Sequence, residues 1–158
     1  MSSESVQAWL AHHAPDLHVV TQSQSTATVA LAAEAFGVAP GQIAKTLSFR
    51  VNDDVILLVM AGDARLDNKK YKEQFGVKAR MLGSEEVEAL TGHPVGGVCP
   101  FATPAAATLY CDASLQAWDE VIPAGGSANT GVRIAPDRLV ALVGAQWVNV
   151  AREPVVAE

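Results

Sequence analysis

Residues 43–61, IAKTLSFRVNDDVILLVMA, carry the pattern from which the fold is read. Ile43, Leu47, Phe49 and Val51 recur at every second position, the period of a strand with one buried face. Val55 to Ala61 is apolar at both parities, as a strand covered on both faces requires. Asn52-Asp53-Asp54 between them has turn composition, so the stretch predicts a hairpin whose second strand is the middle of a sheet. Lys45 breaks the pattern. Strand spacing sends its ammonium to the apolar side, where a cation needs a partner.

Working outward, residues 5–13 place Val6, Trp9, Leu10 and His13 at helical spacing, with Ser2, Ser3 and Glu4 as candidate caps and Pro15-Asp16 as the end. Leu17 to Thr21 reads as a short strand. Thr28 to Phe36 is alanine-rich and predicts a helix capped by Ser25 or Thr26 and stopped by Gly37. Beyond the hairpin, Asp67 caps a helix ending at Phe75 and Gly76, Lys78 to Leu82 forms a strand, and Ser84 opens a helix that ends at Gly92. Thr108 to Cys111, Trp118 to Pro123 and Gly131 to Ala135 read as strands. Pro136 starts a last helix to about Val143, and Trp147 to Val150 adds an edge strand. Strands and helices mix without a regular βαβ repeat. The expectation is one α/β domain (mixed α+β) over residues 1–158, with a curled, mixed sheet flanked by helices and a frayed tail at 153–158.

Composition narrows the functional classes. Apolar residues make up 49 % of the 158 and charged residues 18 %, the balance of a chain with a proper core. A net charge of −6 argues against a surface built wholly for nucleic acid. No basic, apolar leader and no span of about 18 apolar residues is seen, which points to the cytoplasm and away from a membrane. Two cysteines are too few for a disulfide framework.

Residues 92–101, GHPVGGVCPF, are the strongest candidate for a binding loop. Gly96-Gly97 permits a sharp turn with exposed N–H groups, Val98 and Cys99 keep their donors, and Pro100 ends the row. Donors of that kind suit an oxygen that becomes negative during acyl transfer. Lys45 reads either as a lysine whose head snorkels to water or as a directed charge at a pocket mouth. Cys99, with His93 six residues upstream, admits a nucleophile reading as a hydrolase of small esters. His12, His13 and His18 lack metal spacing, neither cysteine sits in a CxxC, and nucleotide-cradling glycine motifs are absent, so no metal or cofactor is expected. Arg65, Lys69, Lys70, Lys72, Lys78 and Arg80 face only Asp67 and Glu73 between residues 65 and 80, a basic face suited to a polyanion or to solvent. A second glycine-rich loop, GGSANTG at residues 125–131, offers Ser127, Asn129 and Thr130 as a further wall or as a long turn.

Four pieces taken together resemble the YbaK/EbsC family, the prolyl-tRNA-synthetase-associated editing domain: QIAKTLSF with Lys45, VMAGDARLDNKK, GHPVGGVCPF, and AGGSANTGVRIAP. They occur in the family's order and span about Thr26 to Trp147. The resemblance implies a barrel-like sheet and an aminoacyl-tRNA deacylase that removes a wrong amino acid from tRNA, typically tRNA for proline, with prolyl-tRNA synthetase as a partner. It makes Lys45 the functional lysine and Gly96 to Pro100 the GxxxP loop, so that Lys45 and Gly97 are the expected catalytic groups. Thr28, Gly96, Val98, Cys99, Pro100, Ser127 and Asn129 are expected to bind substrate, and Arg65, Lys69, Lys70 and Lys72 to bind tRNA. Departures bear on specificity: Arg133 stands where the cysteinyl-tRNA deacylase branch carries an acid, Cys99 replaces the commoner serine, and Ala102 follows Phe101 where the family returns to glycine. Thr28 falls near a larger aromatic of that branch. A non-catalytic binding module that partners a synthetase uses the same pocket and remains the alternative of another class.

Overall fold

The computed structural model describes residues 2–152; the tail expected at 153–158 lies outside the described residues. Among the described residues twelve α-helices and strands follow one another: α1 (Ser2–His13), β1 (Val20–Thr21), α2 (Val29–Phe36), β2 (Ile43–Val51), β3 (Asp54–Ala61), α3 (Asn68–Phe75), α4 (Ser84–Thr91), β4 (Ala107–Asp112), β5 (Ile122–Pro123), β6 (Thr130–Gly131), α5 (Pro136–Val143) and β7 (Gln146–Val148). Five strands form one sheet in the order β5-β2-β3-β4-β7. Only the β2–β3 hairpin is antiparallel within it; β5, β4 and β7 join in parallel. β1 and β6 form an antiparallel ribbon. Bridges Ala124↔Gly131 and Val121↔Ile134 tie that ribbon to the β5 end and curl the sheet.

β3 is central, as its unbroken apolar run predicts, with Leu57, Leu58, Val59 and Met60 fully buried. Each such side chain contributes about 1.5–3 kcal/mol by leaving water. One face of the sheet packs on α1 and α5 through Val6, Leu10, Val59, Cys111, Leu115 and Leu139. The other packs Phe49, Leu58 and Met60 on Tyr71 of α3 and on Val148 and Val150. α2 lays Ala32, Ala33 and Phe36 against Ile43 and Ile122 at the β5 edge.

Local signals set most boundaries. Asp67 accepts from Lys70 N–H at the start of α3, and Gly37, Gly76, Gly92 and Gly144 end four helices in the left-handed region. Pro136 opens α5. Elsewhere tertiary partners overrule the sequence pattern. Thr28, not Ser25 or Thr26, caps α2, its Oγ1 accepting from Leu31 N–H at 3.2 Å. Ser2 to Glu4 lie inside the first turn of α1. The strand expected at 17–21 keeps only Val20–Thr21, that at 118–123 only Ile122–Pro123, and that at 131–135 shrinks to Thr130–Gly131 plus a bridge. Asp112 explains part of this: its buried carboxylate accepts Ser114 N–H at 2.9 Å and Val150 N–H at 2.7 Å, winding residues 113–117 into a 3-10 turn. Lys78 to Leu82 is no strand; it touches β2 by the bridge Phe49↔Met81 alone.

Tyr71 is fully buried between Phe49 and Phe75, and its hydroxyl has no hydrogen-bond partner among the described residues. Burial raises its pKa to about 12. An unpaired buried hydroxyl costs about 1–3 kcal/mol. Tyr71→Phe is therefore expected to raise stability by about 1 kcal/mol, read as a higher urea midpoint at unchanged slope.

Candidate active site

A hollow of about 420 Å³ opens where α2, β2, the 92–101 loop and the β5 edge meet. Thr28 and Val29 from the start of α2, residues 45–48 of β2, Gly96 and Val98 all line it. The lysine and the glycine loop, 51 positions apart in sequence, thus share one cavity. Among the described lining residues Lys45 is the one ionisable side chain; no histidine, cysteine, aspartate or glutamate faces the space. Deeper walls are apolar, with Ala32, Phe36 and Ile122 at the α2 side.

The β2–β3 register sets Lys45 opposite Met60, one residue from the strand's end. The chain leaving β3 then curls over the ammonium, which donates to Ala64 C=O at 2.5 Å and to Gly62 C=O at 3.3 Å. Burial lowers its pKa, with the Arg65 charge acting in the same direction and the Asp63 carboxylate opposing it. Neither snorkelling nor a carboxylate pair describes this group. It is a half-desolvated cation steered by two carbonyls, with a third N–H to offer.

The two glycines divide their work. Gly96 sits at φ +87°, where only glycine is unstrained, while Gly97 permits contact between two backbones: a Cβ there would lie 2.7 Å from Ser127 Cα and N. The second glycine-rich loop is thus the packing partner of the first. Gly97 is buried and its N–H donates to Pro94 C=O at 2.9 Å, so the donor assigned to it from sequence is already engaged. The N–H groups of Gly96 and Val98 have no partner among the described residues.

Cys99 and Pro100 face inward. Cys99 is fully buried, and burial pushes its thiol up to about 12. His93 is buried beside it, its Nε2 2.6 Å from Phe101 C=O and 3.5 Å from Cys99 Sγ. A carbonyl accepts only, so Nε2 carries the proton and cannot take one from the thiol. This geometry offers the thiol no base, and Cys99 lies outside the lining of the hollow. The pair clasps the loop instead. Directly after it, Ala102 holds φ 54°, a left-handed backbone where glycine would be relaxed.

Ser127 and Asn129 also serve structure rather than the hollow. Ser127 Oγ donates to Asn129 Oδ1 at 3.0 Å, and Asn129 Nδ2 donates to Gln22 C=O at 3.2 Å. Of that loop, Thr130 reaches the lining. Arg65, Lys69 and Lys72 are exposed, whereas Lys70 donates to Ala151 C=O at 2.8 Å and fastens α3 to the chain after β7. Arg133 pairs with Glu120 at 3.0 Å and donates to Phe36 C=O at 3.3 Å, holding the α2 terminus from outside. Missed from sequence was Thr46, which lines the hollow and whose Oγ1 is buried without a partner among the described residues. The strand pattern gave it no signal, because its neighbours across the edge are set by long-range pairing.

Known proteins resemble this chain over most of its length. The family described as "Aminoacyl-tRNA editing domain" matches residues 23–142. A Bacillus subtilis relative called "Uncharacterized protein YwhH" is 43 % identical over 155 residues, covering 97 % of this chain and 99 % of the relative. An Enterococcus faecalis protein named "Putative Cys-tRNA(Pro)/Cys-tRNA(Cys) deacylase EbsC" is 28 % identical over 120 residues, 75 % of this chain and 73 % of that one. A crystal structure described as "a putative trans-editing enzyme for prolyl tRNA synthetase" superposes with a TM-score of 0.88 at 35 % identity, over 96 % of this chain and 97 % of the other.

Two outcomes test the loop. Gly97→Ala forces the Ser127 main chain away, and a loss of at least about 1–3 kcal/mol is expected, seen as a lower thermal midpoint. Burial holds the His93 pKa below its ordinary 6.5. The unfolded chain takes up that proton as pH falls through 6.5 and the folded one does not. Stability present above that pH is therefore lost toward the lowered folded value. Thermal midpoints from pH 7.5 to 5 are expected to fall less steeply in His93→Asn than in the parent.

Proposed function

The chain belongs to the aminoacyl-tRNA editing domain family, and on that premise we propose that it is a deacylase that hydrolyses the ester joining a wrong amino acid to tRNA. The observation that carries the reading is the convergence of Lys45, Gly96 and Val98 on one hollow. An acylated nucleotide end presents what those groups suit: an ester carbonyl that becomes an oxyanion, a phosphate, and an apolar or small side chain. Amides of Gly96 and Val98 stabilise the oxyanion, and the Lys45 ammonium holds the terminal nucleotide. Water adds to the carbonyl, the C–O bond to the ribose breaks, and the ribose oxygen leaves with a proton. With Lys45 the one ionisable side chain among the described lining residues and its ammonium on the nucleotide, the neighbouring ribose hydroxyl relays that proton. Such substrate assistance needs positioning from the protein and little else.

The tRNA backbone is assigned to Arg65, Lys69 and Lys72, which follow directly on the turn that holds Lys45. Lys70 gives its ammonium to the fold and contributes position rather than charge. Among tRNAs, that for proline is the proposed substrate, with prolyl-tRNA synthetase as partner and the cytoplasm as the setting, on the likeness to the trans-editing structure. No helix of the described residues is long and apolar enough to cross a membrane.

A panel of mischarged tRNAs tests the reading. Deacylation of at least one is expected, and Lys45→Met is expected to fold while losing about 100-fold or more in kcat/KM. Equal rates in parent and variant would remove the lysine from the mechanism. Binding without turnover across the panel would make the domain a non-catalytic module.

A further inference from the structure

The outer edge of β2 is paired at both ends and open at one residue. Alternate residues of a strand in an antiparallel ladder send their N–H and C=O to opposite edges. Leu82 N–H donates to Ser48 C=O at 3.1 Å, and Arg50 N–H donates to Arg80 C=O at 2.8 Å. The even-numbered residues of β2 therefore face away from β3. Ala44 is taken up by β5 in the register Ala44↔Pro123. Thr46 lies between these two attachments. Neither its N–H nor its C=O has a hydrogen-bond partner among the described residues.

Thr46 is half-buried and lines the hollow, and its hydroxyl too is buried and unpartnered. Main-chain groups away from bulk water are almost always paired, because leaving one unmade costs as much as a lost hydrogen bond. Open strand edges are ordinarily blunted by charge, proline or a covering segment. Here the segments that could have paired stop one residue short on either side. What remains is a slot one residue long.

The slot defines its complement. In a hydrogen-bonded antiparallel pair, two residues exchange both bonds, the N–H of each going to the C=O of the other. A ligand that fits Thr46 needs one donor and one acceptor spaced as they are in a single amino-acid residue. An aminoacyl ester has that spacing in its α-ammonium and its carbonyl.

We propose that Thr46 binds the substrate's aminoacyl group as a one-residue β-partner, its C=O accepting from the α-ammonium and its N–H donating to the ester carbonyl. This rests on the deacylase reading and adds a requirement for a free α-amino group. Recognition by main chain is indifferent to the side chain. Selection among amino acids then falls to the apolar walls, while des-amino esters are discriminated against at the β2 edge whatever their side chain.

The test uses the ¹⁵N-labelled full chain and two non-hydrolysable probes, 3′-(alanylamino)-3′-deoxyadenosine and its propanoylamino counterpart, which lacks only the amino group. The alanyl probe is expected to shift the Thr46 amide resonance and to bind at least about 10-fold more tightly, the scale of one hydrogen bond to a charged group. Equal affinity for the two probes overturns the proposal. So does a shift at Lys45 and Gly96 without one at Thr46, and so does failure of the alanyl probe to bind. Each of these leaves the deacylase reading to the tRNA panel, which decides it separately. A second arm uses Thr46→Pro, which deletes an N–H that no internal bond uses at an edge position where proline is tolerated. Its kcat/KM on the best panel substrate is expected to fall about 10-fold or more at an unchanged circular dichroism spectrum, and a parental rate overturns the proposal.

Discussion

The register of the β2–β3 ladder governs everything else in the site. Lys45 opposite Met60 puts the ammonium beside the last residues of β3, so the carbonyls of Gly62 and Ala64 reach it as the chain turns away. A slip of one residue would carry every side chain of β2 to the opposite face. Phe49 would then leave Tyr71, and Lys45 would point toward the α1–α5 side. That alternative is blocked by β3 itself, whose buried aliphatic residues leave no polar face for a misplaced cation. The core therefore enforces the geometry of the charge.

How much was legible follows from the range of each signal. The hairpin, the central position of β3, the Asp67 cap and the glycine stops depend on residues within a turn of each other, and local patterns report them. Short strands such as Ile122–Pro123 and Thr130–Gly131 exist only because distant segments pair with them, and apolar alternation around them overstated their length. In the site, Lys45 and Gly96 stood out because each violates its surroundings: a cation among apolar positions, a left-handed turn. Cys99, Ser127 and Asn129, expected at the substrate, lie off the lining of the hollow for a common reason. A polar side chain in a glycine-rich loop has its own loop as its nearest customer, and the bonds of Ser127 and Asn129 run within 125–131 and back to Gln22. Thr46 gave no warning, because an edge gap is defined by where other segments stop.

The chain is acidic, at −6, yet its one cation at the hollow is insulated from that excess. Arg50 pairs with Glu86 and Arg133 with Glu120 outside the cavity, which removes two carboxylates from competition for Lys45. Asp63 remains near and favours the charged ammonium against desolvation. The result is a positive charge that is weakly hydrated but not neutralised, the state in which a phosphate gains most from approaching it.

Rigidity in such a site must come from main chain, since main chain supplies most of its donors. The 92–101 loop is held by two internal clasps and one external seat: His93 and Cys99 close on Phe101 C=O, the Gly97 N–H closes on Pro94 C=O, and Gly97 packs on Ser127. Ala102 at φ 54° then costs about 1–2 kcal/mol that glycine would not. A loop so over-determined tolerates that strain, and the strained alanine has less freedom to relax than a glycine would have. Pre-organisation of this kind places the amides before substrate arrives, so little binding energy is spent on ordering them. It also separates two tasks that sequence alone confounds. On the proposed reading the fixed main chain answers the part of the substrate common to all amino acids, and apolar lining residues such as Val29, Ala32, Phe36 and Ile122 tell one side chain from another, with the 10- to 200-fold selectivity that apolar contacts allow.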